Sequence, residues 1–220
     1  MDAWAARSHQ RAIAAIDAGK FLDEIIPLKV QQFDGSVVDF SVDEFPRRDT
    51  TVEKLAGLKV LHPEIEGFSI TAGNSSGTND AAAAVALVDS DYAEAENLTK
   101  MAAVKAWAAA GVAPRDCGLG AVKVIGKVLQ RAGLKPSDVA LWEINEAFAS
   151  VPIAACKEYG LDEELVNFSG SGCSLGHPIA ASGARMVTTL IYELQRRGGG
   201  IGVAAMCAGG GQGGAVVVEV

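Results

Sequence analysis

Apolar and polar positions divide the chain into two unlike parts. Residues 2–20 carry a helical stripe, with Ala3, Trp4, Ile13 and Ile16 among many alanines, and the pattern ends near Gly19. Ile25 to Val30 is short and apolar. Residues 31–67, with Pro46, Arg47, Arg48, Asp49 and Pro63, show no continuous core pattern. They read as an extended loop region holding a small helix near residues 52–58. From Phe68 the texture changes: 68–71 alternates as a strand does, and Gly73 to Gly77 reads as a turn. Asn79 and Asp80 offer capping side chains for a short Ala-rich helix that leads into a strand over residues 83–89.

After Leu98 the alternation is regular. It predicts a strand at 104–109, a helix at 119–132 closed by Gly133, a strand at 139–144 and a helix at 146–159 stopped by Gly160. A strand at 165–168 follows, then a long helix at 178–197 ended by the glycines at 198–200. Strands at 201–206 and 215–220 flank a glycine-rich turn. This βαβαβαββ order predicts an α/β fold whose mixed five-stranded sheet is flanked by helices.

Composition narrows the function. At 220 residues, 49% of them hydrophobic, the chain suits one large domain or two small ones with a real core. Aromatics make up only 6%, against abundant Ala and Gly, which suits closely packed helices and strands. A net charge of −8 without a Lys/Arg block argues against nucleic acid and anionic membrane as partners. An anionic ligand would need local cations. The four cysteines, Cys117, Cys156, Cys173 and Cys207, contain no CxxC pair and read as reduced thiols of an intracellular protein. Neither a signal peptide nor a membrane span is visible in the sequence, and the expected location is cytoplasmic.

Three residues stand at element ends where chemistry is often placed. Cys207 ends an apolar strand and precedes Gly209, Gly210 and Gly211, whose backbone N–H groups can face a site without obstruction; it also fits a buried cysteine before a plain hairpin turn. His177, between Gly176 and Pro178, sits where a helix is expected to begin, and the dipole there favours neutral imidazole. It reads equally as a helix-capping histidine. Asn145 closes the strand 139–144 at the carboxyl end of the sheet, where ligands usually bind in α/β folds, and it also fits an N-cap. Taken together, the three junctions can face one sheet edge.

In order and spacing these segments resemble the thiolases, over essentially the whole chain. The resemblance runs through residues 2–10 (DAWAARSHQ), 71–77 (TAGNSSG), Asn145-Glu146-Ala147-Phe148, the stretch Ser174 to Arg185 that contains Gly176-His177-Pro178, and Cys207 to Gly214. Thiolases make or break the carbon–carbon bond of a β-ketoacyl thioester on coenzyme A. The resemblance implies that His177 activates a nucleophilic cysteine and, with a water held by Asn145, binds the thioester oxygen. It implies Cys207 as general base and acid at the α-carbon, which needs a thiol pKa near working pH. The Gly209 N–H would stabilise the acyl oxyanion with the N–H of the nucleophilic cysteine. Ser76 would touch the pantetheine arm, Arg47 would lie near the adenine nucleotide, and Ala147 and Phe148 would line the substrate site, with core packing the alternative for Phe148. No permanently bound cofactor or metal is implied; coenzyme A and acyl-CoA are substrates. Ketoacyl synthases usually pair two histidines with their cysteine, so the Asn/His/Cys set favours thiolase.

Some positions depart from the pattern. Cys117 stands where an apolar pocket residue, often methionine, is expected. Gly170-Ser171-Gly172-Cys173 replaces a glycine-and-alanine-rich stretch, and residues 61–67, with His62, are longer than usual. The family's nucleophilic cysteine lies upstream of these motifs, and no cysteine precedes Cys117 here. The expected organisation is residues 1–77 as the second part of the thiolase loop domain, 78–98 as a helix and strand completing the N-terminal half-domain of a partner, and 99–220 as the C-terminal half-domain. The expected partner is an N-terminal thiolase polypeptide carrying the nucleophile, in a hetero-oligomer built on a thiolase dimer or tetramer. Two alternatives stay open: a fragment of an ordinary full-length thiolase, and a non-catalytic coenzyme A-binding scaffold.

Overall fold

A computed structural model describes residues 1–220. The first part is a helix with an irregular strap around it. Helix α1 (Asp2–Asp17) buries Trp4, Ala5, Ala6, Ala12 and Ala15, and its small residues let neighbouring backbone approach. Strands β1 (Leu28–Gln31) and β2 (Val37–Phe40) form an antiparallel hairpin with Leu28 opposite Phe40; β1 takes up the end of the short apolar run, and β2 lies inside the region expected to be loop. Helix α2 (Val52–Ala56) starts at Thr51, whose hydroxyl accepts from the Lys54 N–H at 3.2 Å. Helix α3 (Ser90–Ala95) starts at Asp89, which accepts from the Asp91 N–H at 2.9 Å.

The second part is the sheet. In chain order it runs β3 (Ala103–Gly111), α4 (Leu119–Ala132), β4 (Leu141–Ile144), α5 (Ser150–Tyr159), α6 (Gly172–Leu175), α7 (Ser182–Arg196), β5 (Ile201–Ala208) and β6 (Gln212–Glu219). The strand order is β3-β6-β5-β4; β4 and β5 are parallel and the other neighbours antiparallel. Because side chains alternate along a strand, β4, β5 and β6 each feed two cores. Trp142, Ile144, Val203, Ala205, Cys207 and Val217 face α4, α5 and α1, whereas Leu141, Ala204 and Val218 face Met186, Leu190 and Leu194 of α7. Helix α4 lies directly on β6. A Cβ on Gly120 or Gly213 would collide with the other segment's backbone, so only glycine permits the approach.

Several expectations need correction. The sheet has four strands, not five: residues 165–168 make only isolated parallel bridges, Val166 to Trp142 and Phe168 to Gly170. At Asn167 the backbone turns to a φ of 52°, and its side chain replaces the missing strand partner. Asn167 Nδ2 donates to the Ile144 carbonyl, and Oδ1 accepts from the Ile144 N–H, both at 2.8 Å. Residues 68–71 form no strand, only one bridge between Val60 and Thr71. The Ala-rich helix and the strand at 83–89 do not form: the segment pairs with no strand of the sheet. The helices expected from 146 and 178 begin at Ser150 and Ser182, and the short α6 precedes the latter.

Candidate active site

Asn145 follows the last residue of β4. Its N–H donates to the Ala205 carbonyl at 2.9 Å, which extends the parallel β4–β5 pairing by one bond. Since Ile144 pairs with Ala205, Asn145 and Cys207 emerge at the same carboxyl end of the sheet. The Asn145 side chain is fully buried, with Nδ2 at 3.3 and 3.4 Å from the two ring nitrogens of His177. Its Oδ1 is buried against Gly172 of α6 and accepts from no protein group, which leaves an unused acceptor there.

His177 sits five residues before α7 rather than at its first turn, so the helix dipole is not what keeps the imidazole neutral. Burial lowers its pKa first, and the nearby Arg185 cation lowers it further. Ser182 Oγ lies 2.6 Å from Nδ1 and also donates to the Pro178 carbonyl at 3.0 Å. With the hydroxyl proton on that carbonyl, Nδ1 carries the ring proton and Nε2 presents a lone pair. The His177 N–H donates to Asn79 Oδ1 at 3.2 Å, so Asn79 positions the histidine instead of capping a helix. The Asn79 amide packs so closely on Gly176, at a φ of 86°, that a side chain there would clash.

Cys207 sits near the end of β5, opposite Gly213 of β6, and is 6% exposed. Burial pushes its thiol up, and the neighbouring Cys117 thiol adds to this. It therefore holds its proton near neutral pH. The hairpin turn that follows places Gly210 and Gly211 at φ values of 81° and 87°. The Gly209 N–H donates to no backbone carbonyl and is free to face a ligand. His177 and Cys207 make no hydrogen bond to one another.

The remaining expected residues fall in two groups. The turn after Thr71 is stitched to residues 147–149: the Ser76 N–H donates to the Ala147 carbonyl at 3.0 Å, Ser75 bridges to Phe148, and the Ala149 N–H donates to the Asn74 carbonyl at 2.9 Å. Ser76, Ala147 and Phe148 thus share one wall, and Phe148, 39% exposed, is not a core residue. Arg47 lies in a cleft of about 240 Å³ with His9, Phe45, Asp49, Lys54, Leu58, Gly73 and Cys173. Its N–H donates to His9 Nδ1 at 3.0 Å. Of the cations nearby, Arg48 is paired with Asp17 and Lys54 with Asp49, whereas Arg47 has no ion-pair partner and is available to an anion.

Sequence reasoning missed the residue that ties these parts together. Glu146, fully buried, accepts from Trp4 Nε1 at 2.8 Å, Ser8 Oγ at 2.6 Å, Asn167 Nδ2 at 2.9 Å and the Cys173 N–H at 3.1 Å. The signal was present in the charged residue of the Asn145–Phe148 segment, inside an otherwise apolar stretch. Ser182 was hidden among the small residues after Pro178.

Comparison with known proteins agrees with this geometry. The thiolase C-terminal domain matches residues 98–220 and the thiolase N-terminal domain matches residues 1–91. An acetyl-CoA acetyltransferase of Thiocystis violacea is 45% identical over 218 residues, which is 99% of this chain and 55% of that protein. A 3-ketoacyl-CoA thiolase of Bacillus subtilis is 42% identical over 228 residues, covering 100% and 58%. Among solved structures, the Bacillus anthracis acetyl-CoA acetyltransferase superposes with a TM-score of 0.94 at 44% identity, covering 99% of this chain and 55% of that one. A human mitochondrial 3-ketoacyl-CoA thiolase in complex with CoA gives 0.89 at 36%, covering 99% and 53%. The chain spans about half the length of the curated relatives it matches. With both domain matches, and with Asn145, in contact with His177, at the same sheet end as Cys207, the chain belongs to the thiolase family.

Proposed function

We propose that this chain contributes His177, Asn145, Cys207 and the Gly209 N–H to reversible Claisen condensation and thiolytic cleavage of a β-ketoacyl-CoA, with the nucleophilic cysteine carried by a separate N-terminal thiolase polypeptide. In thiolysis, His177 Nε2 takes the nucleophile's proton, and the thiolate attacks the keto carbon. The carbon–carbon bond breaks, and its electrons pass to the α-carbon of the departing acetyl-CoA, which takes the proton of the Cys207 thiol. The resulting Cys207 thiolate deprotonates coenzyme A, whose sulfur attacks the acyl-cysteine and regenerates the nucleophile. The Gly209 N–H serves the acyl oxyanion, and His177 with a water on Asn145 Oδ1 serves the thioester oxygen. Arg47 offers its charge to the nucleotide end, Ser76 meets the pantetheine arm, and Ala147 and Phe148 line the acyl side.

The observation that carries this reading is the Asn145–His177 contact at the same sheet end as a protonated Cys207 followed by a free glycine N–H. A second reading, in which the same residues form part of one continuous thiolase, accounts for these facts equally, and the full-length relatives favour it. The test is thiolysis of acetoacetyl-CoA by the chain alone and co-expressed with an N-terminal thiolase half. Activity is expected only in the co-expressed complex, in a hetero-oligomer, and falls by roughly 10²–10⁴-fold in Cys207→Ala. Activity of the chain alone, or full activity of Cys207→Ala, overturns the proposal.

A further inference from the structure

Cys117 occupies a place where three separate tethers bring it to the β5–β6 hairpin. On one side, the Val112 N–H donates to the Gly211 carbonyl at 2.7 Å. On the other, Gly120 packs on the backbone of Gln212 and Gly213, the residues paired with Ala208 and Cys207. Between them, the Cys117 thiol donates to the carbonyl of Ala208, directly after Cys207, at 3.1 Å. The other two cysteines are held elsewhere: Cys156 on α5, and Cys173 with its N–H bound to Glu146. Cys117 is partly exposed while Cys207 is buried.

We infer that Cys117 and Cys207 form a redox-active dithiol, in which a hydroperoxide closes a reversible disulfide that removes the Cys207 thiol from acid–base work. Solvent reaches Cys117 first. Its thiolate attacks the peroxide's outer oxygen, giving a sulfenic acid and releasing an alcohol, or water from hydrogen peroxide. The Cys207 sulfur then attacks the Cys117 sulfur, and the hydroxyl leaves as water with the Cys207 proton. In sum, two thiols and one hydroperoxide give one disulfide, one alcohol and one water. The hairpin glycines beside Cys207 supply the backbone freedom that disulfide geometry demands. Formation of the bond stands apart from the catalytic reading; only its consequence for activity rests on that reading.

The test reads the bond by mass, so that it does not depend on activity. The chain is treated with hydrogen peroxide, its free thiols are alkylated, and the digest is mapped. A peptide pair joining Cys117 to Cys207, about 2 Da lighter than the sum of its reduced parts and released by dithiothreitol, is the expected result. In Cys117→Ser the pair is absent and Cys207 stays alkylatable. Sulfinic acid on Cys117 without a linked peptide, or a link to Cys156 or Cys173 in its place, overturns the proposal. If the linked peptide forms but thiolysis by the oxidised Cys117–Cys207 complex is undiminished, the acid–base role of Cys207 fails and the disulfide stands.

Discussion

Glu146 is a carboxylate with no ion-pair partner, held at zero exposure by four hydrogen-bond donors from α1, Asn167 and α6. A glutamine would keep one acceptor and turn an N–H₂ group toward donors already in place. Glu146→Gln is therefore expected to lose about 3 kcal/mol in urea unfolding; a loss under half of that would mean the four bonds are not what holds the first part to the second. Glu143 behaves differently. Burial raises its pKa from 4.5 to about 7, against the pull of Arg185, whose Nη1 lies 2.9 Å away. The folded state thus holds a proton that the unfolded state releases, so Glu143 makes stability fall as pH rises from 4.5 to 7. Burial raises the neighbouring Glu24 and Asp43 in the same sense, while His9 and His177, lowered by burial, act oppositely below their ordinary range. Comparing the pH profile of Glu143→Gln with the parent isolates one group: the variant should lack a fall of at most about 3 kcal/mol over that interval. Identical profiles would place the charge on Glu143 throughout. At this scale the sequence read correctly that Asn145 and Cys207 stand at strand ends on one sheet edge, but it put His177 at a helix start, whereas the residue lies in the turn between α6 and α7. It could not show Ser182, Asn79 or Glu146 as their supports, because those contacts join segments far apart in the chain.

Strand β3 is a sheet edge, and α4 covers it with a row of cations. Lys123, Lys127 and Arg131, four residues apart, donate to the carbonyls of Gly111, Ala109 and Trp107 at 2.8, 2.8 and 2.6 Å. These alternate carbonyls point away from the sheet and are the groups another strand would use. Replacing the three cations by alanine should leave the unfolding midpoint nearly unchanged, because the groups are exposed, yet raise light scattering on warming below that midpoint. Unchanged scattering would mean that the irregular start of β3, with its register shift between Val104 and Ala106, protects the edge alone. Helix α4 itself was legible to the residue, because its apolar stripe and the left-handed Gly133 lie within one segment. Elements defined by distant partners were not. Residues 165–168 have strand composition, but Asn167 spends its side chain on Ile144 and ends the pairing. Helix α5 starts late because residues 145–149 are committed to the site wall. The β1–β2 hairpin was hidden because all eight of its residues are exposed and no core period marks them.

For the molecule as a whole, the question is what covers the face of α7. Between α7 and the strands β5 and β6 runs an apolar cleft of about 350 Å³, lined by Ala184, Met186, Val187, Met206 and Val216, with Val85 at its edge. Val85 belongs to the irregular segment 77–89, where Leu87 is 79% exposed and Val88 nearly half exposed. An apolar, strand-forming segment beside an open apolar cleft is stable only when a further layer receives both. We propose the N-terminal thiolase half as that layer, since the chain spans only 55% of a curated relative's length. This gives a prediction independent of catalysis. Limited proteolysis of the chain alone should cut within residues 78–89 at least tenfold faster than in the co-expressed complex, because cleavage needs an extended segment free of sheet pairing. Equal cutting in both states would show that the segment stays outside the interface, and the N-terminal half would then have to close the cleft without it. Resistance in both would mean that the packing of Val85 on α7 suffices to hold the segment, and the exposed apolar residues would need no partner at all.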